Sequence, residues 1–450
     1  MHLLSYIALV TTLTQAVAMP AYNFASLPEV YPVDTPTQRR LDALAHKLHQ
    51  VANSELKAHA RERFASVTGQ YGINAQFPKI QQDLDTSVDE LAFSCLQKAI
   101  NDDPLHPMVY SVLNPPRPFK QGGFMIPGGR YANDHPEQIY RTIPVNAKYD
   151  YVIRGKRTGG GPQDGGFTLI NNHTAQSSVG AFPLRKLEVN TDGTFVLTLN
   201  ATDSTAPNHV SIPSDAVSIM IRNTIADWRT QTPDYMEVEI VTPGVSAPSA
   251  TEESIVNKAR GYFSEAIPFY ADSLLGNQTL TSPVNVIVQP TVSTAFGTVI
   301  TQVSSFSHYN LSSTEALVIT VQPGPSTYWI LPSYRLFGIS DDPWTRLSHL
   351  SSRAAVPNGD GTITAVLSTA DPGVRNWIQA TEDGVGAFMA RFTGLPTTGE
   401  GASQVKLSSM VVPLDRLRDI LPAGMKYVTN EERAAQYAEQ AKGYSVTRNF

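Results

Sequence analysis

The residues best suited to chemistry gather in GGRYANDHPEQIYR, where Tyr131, Asp134, His135, Glu137 and Tyr140 stand close together. A carboxylate beside an imidazole can divide the acid and base roles, so Asp134 or Glu137 with His135 would make a proton-transfer couple. The same stretch also reads as a polar turn, opened by Asn133-Asp134 and fixed by Pro136. The turn reading takes precedence, with Asp134, His135, Glu137 and Tyr140 kept as candidates. A second group is Arg222, Asp227, Trp228 and Arg229. The fork of Arg222 could hold a carboxylate ligand, and an Arg beside Asp-Trp could equally form an ion pair under an indole. Arg222 has a counterpart at Arg391, and a position that recurs within one chain is expected to serve the fold.

Other constellations carry less. His46, His49 and His59 lie in one helical stretch, but no carboxylate or further His completes a ligand set, and a solvated polar face is expected. Cys95 falls on the helically spaced stripe Val88, Leu91, Ala92, Cys95, Ala99 and reads as a small core residue. Ser54-Glu55-Leu56-Lys57 matches Ser-x-x-Lys without its companion motifs. Gly159-Gly160-Gly161-Pro162-Gln163-Asp164-Gly165-Gly166 lacks the Lys-Ser/Thr pair of a phosphate loop, and reads as a connection between strands that could lie beside a pocket. With no nucleophile elbow, zinc helix, Walker loop or dinucleotide fingerprint, neither a metal nor a cofactor is expected.

The elements that must position these residues are legible through a repetition. Asp192-Gly193-Thr194 recurs as Asp360-Gly361-Thr362, and an Asn follows 16 positions after each Asp, at Asn208 and Asn376. An Arg closes each copy, at Arg222 and Arg391. Asp-Gly marks a tight turn because Gly accepts positive φ. The partly alternating runs FVLTL and ITAVL, then VSIMI and GAFMA, read as strands. Upstream, 143–153 echoes 321–331. The repeat unit is therefore a β-rich domain, and Asn208 and Asn376, like the two arginines, are expected to be structural.

Asp-Gly-Thr followed by Asn-Trp-Ile and a closing Arg resembles the family called domain of unknown function 1214. In the first copy 221–241 is similar to that family's "Arg, then Asp-Trp, then a last strand" ending, with His209 where a Trp would sit. In the second, 371–377 is similar to its other core, with Phe392-Thr393-Gly394-Leu395 in place of Asp-Trp. The resemblance covers about 122–241 and 317–391 and implies β-sandwich domains, without supplying catalytic residues.

Residues 1–18 read as a secretory signal, with an apolar run and Ala16-Val17-Ala18 as the cleavage site. Four sequons accord with that route, at Asn172, Asn200, Asn277 and Asn310. No later run is long enough to span a bilayer. A net charge of −6 speaks against nucleic acid or an anionic membrane as partner. A helical region spans 19–121, with one helix over 37–65 and another opened by a capping box at Ser87-Val88-Asp89-Glu90. The Pro- and Gly-rich stretch 102–129 leads into a first β-domain, 122–243, and 242–250 links it to a second, 251–450, with flanking helices. Capping boxes are expected at 249–252 and 429–432. The expected fold is α+β and mainly β: a helical N-terminal region, then two related antiparallel β-sandwich, jelly-roll-like domains with short helices.

Two functions fit. One is a secreted, cofactor-independent cyclase, isomerase or lyase acting on a small apolar or aromatic secondary metabolite, with Asp134, His135, Glu137, Tyr140, Arg222 and Asp227 as site candidates. The other is a non-catalytic module binding carbohydrate, lipid or cell wall. A hydrolase with a dispersed triad remains open, since triad members need not be close in sequence.

Overall fold

The computed structural model describes residues 35–52, 54–74, 77–119, 122–292, 301–396 and 400–448, so the expected signal segment lies outside them. The chain folds as a helical N-terminal region followed by mostly antiparallel strands in several sheets.

Helix α1 is Pro36–Ala52, with Pro at its first position and the Thr35 hydroxyl capping the Gln38 N–H at 3.0 Å. Helix α2 is Ser54–Gln70 and α3 is Pro78–Ile100. The expected helix over 37–65 is thus two helices, the second beginning at Ser54, a residue type that favours helix termini over interiors. The expected start at Ser87 is also displaced. Ile80, Leu84, Val88, Leu91 and Cys95 keep one apolar period, Pro78 opens the helix, and Ser87 lies buried inside it.

The first sandwich has one sheet of order β1-β4-β10-β6-β7 and one of order β11-β5-β8-β9. Its strands are β1 (Tyr110–Val112), β4 (Gln138–Pro144), β5 (Tyr151–Lys156), β6 (Asp164–Ile170), β7 (Ser178–Pro183), β8 (Thr194–Asn200), β9 (His209–Ser211), β10 (Ser218–Thr224) and β11 (Tyr235–Ile240). A small hairpin, β2 (Arg117–Phe119) and β3 (Phe124–Ile126), stands apart. The first sheet therefore already begins inside the Pro-rich stretch, at β1.

Helix α4, Glu252–Pro268, runs on into a π-helical segment, Phe269–Leu280. Its cap is Thr251, whose hydroxyl accepts from the Ser254 N–H, rather than Ser249. The second sandwich has sheets of order β12-β13-β19-β15-β16 and β18-β17-β14-β20. These are β12 (Thr291–Val292), β13 (Val303–Asn310), β14 (Glu315–Gln322), β15 (Tyr328–Arg335), β16 (His349–Ser351), β17 (Ile363–Ser368), β18 (Trp377–Gln379), β19 (Val385–Thr393) and β20 (Lys406–Pro413). Short helices α5 (Glu400–Ser403) and α6 (Leu417–Ile420) precede α7 (Asn430–Arg448). The reciprocal box at the head of α7 forms as expected: Glu432 N–H donates to the Thr429 hydroxyl, and Thr429 N–H to the Glu432 carboxylate.

Strand for strand, the two sheet orders coincide, down to a parallel pair at β8–β9 and at β17–β18. Those parallel pairs depart from the purely antiparallel expectation. The turns preceding β8 and β17 are alike in their bonding. Asp192 accepts from the Thr194 N–H at 3.0 Å and hydroxyl at 2.7 Å, and Asp360 does the same for Thr362. Gly193 and Gly361 take φ of 84° and 83°, the left-handed region that a Cβ would disfavour. Asn208 clamps both backbone groups of Glu188, and Asn376 clamps both of Val356. The upstream echo is out of register: 143–153 leads into β5, whose counterpart in the sheet order is β14, whereas 321–331 leads into β15.

Side-chain alternation sets what each sheet face meets. Ile219 and Ile221 of β10 enter the first sandwich core with Phe167, Phe195 and Leu197. Phe388, Ala390 and Phe392 of β19 enter the second with Leu317, Ile319 and Leu367. The alternate positions, Met220 and Met389, join a third core with α3, α4 and Tyr334, in which the helices cover the faces that the two sandwiches turn toward one another. Arg222 and Arg391 lie one pleat beyond these methionines, on the same faces.

Candidate active site between the two sandwiches

The segment before β4 enters the space between the sandwiches through a strained bend. Ala132 and Asn133 both have positive φ, 54° and 55°, a conformation that persists only where the surroundings enforce it. Here Asn133 N–H donates to the Gly338 carbonyl at 2.8 Å. Beyond the bend, the residues expected to form a polar turn are buried. Asp134, His135 and Glu137 are each 5% exposed or less. The expected turn does form, the Gln138 N–H donating to the His135 carbonyl at 3.0 Å across Pro136 and Glu137, but it carries its three titratable groups into a buried space.

Each of the three has a different partner. Asp134 accepts from the Ser340 N–H at 2.8 Å and hydroxyl at 2.7 Å. Glu137 accepts from the Tyr328 hydroxyl at 2.7 Å, and its other oxygen lies 3.4 Å from His349 Nε2. His135 Nδ1 accepts from the Glu137 N–H at 3.1 Å. That bond assigns the ring proton to Nε2, 3.4 Å from the Tyr328 oxygen. Burial, then the charge of Arg391 and His349, holds the His135 imidazole well below its ordinary range, so it stays neutral. Tyr140, whose hydroxyl accepts from the His135 N–H at 3.1 Å, is pushed up by burial.

These contacts separate two spaces. The outer is a cleft of about 290 Å³ lined by Glu137, Asp227, Trp228, His349, Arg353 and Arg375, among others. Helix α7 closes one side: the Tyr444 ring packs on Trp228 at 4.1 Å, and its hydroxyl donates to the Pro136 carbonyl. A Cβ at Gly443 would sit 2.1 Å from that of Trp228, so only glycine lets the helix approach. At the rim Arg353 donates to Gln163, from the glycine-rich connection between β5 and β6. Asp227 accepts from the Arg229 backbone and guanidinium, which hold its carboxyl below the usual range; it is part of the rim. The inner space is a cavity of about 50 Å³ that Asp134, Tyr140, Arg222 and Arg391 help to line.

At the cleft floor sits a pair able to move protons. His349 Nε2 lies 3.4 Å from the Glu137 carboxylate, and the buried Nδ1 has no hydrogen-bond partner among the described residues. A carboxylate beside an imidazole, with one ring nitrogen left unsatisfied, is an arrangement from which a general base can be built.

Of the residues singled out in the sequence, Asp134, Tyr140 and Arg222 thus meet at the cavity, Glu137 and Asp227 meet at the cleft, and His135 lies between. His349 and Tyr328 were not anticipated, since a lone His in Ser-His-Leu-Ser carries no motif. The helical histidines serve locally. His46 stacks on Phe124 at 3.9 Å, and His49, buried rather than solvated, lies 3.3 Å from Asp89. Cys95 is buried, and its thiol is pushed up by that burial. Asn172, Asn277 and Asn310 are exposed, and Asn200 is half-buried. Among the described residues no three His, Cys, Asp or Glu side chains group as a metal site, and no helix is long and apolar enough to cross a membrane.

Residues 303–395, from the first residue of β13 to just past β19, match the family model described as protein of unknown function, DUF1214. The match takes in the second sandwich alone, so the resemblance drawn for the first is not matched. No curated protein matches the sequence at a significant level. Among solved structures, an uncharacterized protein from Burkholderia cenocepacia is similar over 82% of this chain and 99% of its own, with 19% identity and a TM-score of 0.67. The VPA0106 protein from Vibrio parahaemolyticus aligns over 62% of this chain and 90% of its own, at 12% identity and a TM-score of 0.36. The Burkholderia likeness establishes a shared fold.

Proposed function

We propose that the chain is a cofactor-independent enzyme of the isomerase, cyclase or lyase class, acting by proton transfer on a small aromatic metabolite held in the outer cleft. The observation that carries this reading is the pair of Glu137 and His349 in the cleft lining, 3.4 Å apart, with the His349 Nδ1 left without a hydrogen-bond partner. His349 takes a proton from the substrate at Nδ1, and Glu137 stabilises the imidazolium that forms. Tyr328, bonded to the other Glu137 oxygen, fixes the carboxylate. The cleft volume, about 290 Å³, suits a small molecule, and Trp228 offers an aromatic wall. Export and glycosylation at Asn172, Asn200, Asn277 and Asn310 belong to the same proposal, supported by the apolar N-terminal run and by the exposure of three of these side chains.

The test is a comparison of small molecules in culture medium with the intact gene, without it, and with His349→Asn, whose folding is checked by thermal melting. A precursor that accumulates equally without the gene and with the variant supports the enzyme. Unchanged medium in all three defeats it. A second reading, a non-catalytic binding module, draws on the half-buried Trp228 at the rim. It predicts a ligand that binds the cleft yet is recovered unaltered.

A further inference from the structure

The inner cavity has a charge imbalance that the outer cleft lacks. Each sandwich contributes a Met-x-Arg run to it, Met220-Ile221-Arg222 from β10 and Met389-Ala390-Arg391 from β19. All four Met and Arg side chains line the same space of about 50 Å³. The strand pleat explains this: the Met and Arg of each run lie on the sheet face that turns away from the sandwich core, while Ile221 and Ala390 between them enter it.

Around this cavity the lining includes two guanidiniums and a single carboxylate, Asp134. Asp134 already receives two hydrogen bonds from Ser340. The hydrogen-bond acceptors of Arg391 are neutral: the Tyr334 hydroxyl at 2.5 Å and the Asn133 carbonyl. Arg222 Nη1 donates to the Thr168 hydroxyl at 2.9 Å, and its guanidinium also bonds the neutral Tyr140 hydroxyl. Neighbouring His135 adds no further positive charge, because burial and the field of these same arginines keep it neutral. Arg130 nearby is a contrast, since Glu90 and Asp342 both pair with it. A buried excess of positive charge is costly unless an anion accompanies it.

We infer that the cavity between Arg222 and Arg391 binds one small monovalent anion, a halide or a carboxylate no larger than acetate. The volume of about 50 Å³ admits a few water-sized groups and excludes larger acids. The site is distinct from the cleft, and its function is to join the two sandwiches through a shared counter-ion.

The test is thermal melting of the whole protein at constant ionic strength, with chloride, formate or acetate replacing gluconate, which is too large for the cavity. The melting temperature should rise by about 1–2 °C for each tenfold increase in the small anion, as expected for a ligand of the native state alone. Gln302→Glu places a carboxylate on the cavity wall and should abolish that rise, and Arg391→Gln should abolish it too. If Arg391→Gln does not fold, Gln302→Glu alone decides. Equal responses to gluconate and chloride, or an undiminished response in Gln302→Glu, would overturn the inference. Crystals soaked in bromide give an independent reading: an anomalous peak between the two guanidiniums is expected, and a cavity without one refutes the site.

Discussion

The two sandwiches hold the same strands in the same order, yet they bring different side chains to the face between them. Where they agree, the agreement is in turns and clamps: Asp192 with Asp360, Gly193 with Gly361, Asn208 with Asn376. Where they differ, one supplies Glu137 and the other His349 and Tyr328. The cleft exists because the halves are alike in frame and unlike in lining. Residues that recur hold backbone, and those that occur once face open space. The arginines are the exception, since the pleat that repeats them also turns both toward a common cavity.

The largest expected effect tests whether the two halves act as one unit at the cleft. Glu137→Gln and His349→Asn should each lower turnover by roughly 100- to 10,000-fold, and the double variant should be no worse than either single one. Independent, multiplying losses in single-turnover rates would show that each half works alone.

Next come the recurring clamps. Asn376 is 1% exposed and bonds both Val356 backbone groups and the Thr364 carbonyl. Asn376→Ala strands buried polar groups and should cost about 3 kcal/mol in urea unfolding. Asn208 lies nearer solvent, and Asn208→Ala should cost about 1 kcal/mol. Equal costs would break the distinction between a buried and a wet copy of one device.

The helical layer also grips the halves unequally. Arg130, leading into the first sandwich, is forked onto Glu90 of α3 at 2.8 and 2.5 Å, whereas Arg335 of the second stands 3.7 Å from Asp83. Burial raises Asp83 to about 6, against the opposing charges of Arg335 and Lys79 and with Asp383 and Asp341 adding to it. A carboxyl with a folded value above its unfolded one, about 3.9, binds its proton more tightly when folded. Its stabilisation is therefore full below about pH 4 and is lost as pH rises through about 6. Asp83→Asn should stabilise the protein by about 2 kcal/mol at pH 8 and flatten the melting profile between about pH 4 and 6. An unchanged profile would mean that Arg335 and Lys79 compensate fully for the burial of Asp83.

The smallest effect concerns the two helix caps. Thr429 and Glu432 bond reciprocally, while Thr251 accepts one bond. Thr429→Ala should cost about 1 kcal/mol and Thr251→Ala somewhat less. Only the former should weaken cleft binding, because α7 packs on Trp228.

Much of this frame was legible from the chain alone. Asp-Gly-Thr with an Asn 16 positions on located β8 and β17, because a turn and its clamp are local. Thr429-x-x-Glu432 located α7 for the same reason. The cleft was not legible, because its partners are distant in sequence: Glu137 meets Tyr328 across 191 residues. The turn at 134–137 was legible from Pro136, but its burial was not, since turn residues and buried site residues share a composition and burial is decided by what the second sandwich places above them. The echo of 143–153 with 321–331 misled by one strand, because apolar runs with a proline recur in most strands of a sandwich.

The hydrogen bond from Tyr444 to the Pro136 carbonyl joins residues 308 positions apart. During synthesis the first sandwich can fold while the rest is still being made, since domains fold as units. The wall over the cleft arrives only with Tyr444, so every shorter intermediate leaves the proposed proton-transfer pair open to water.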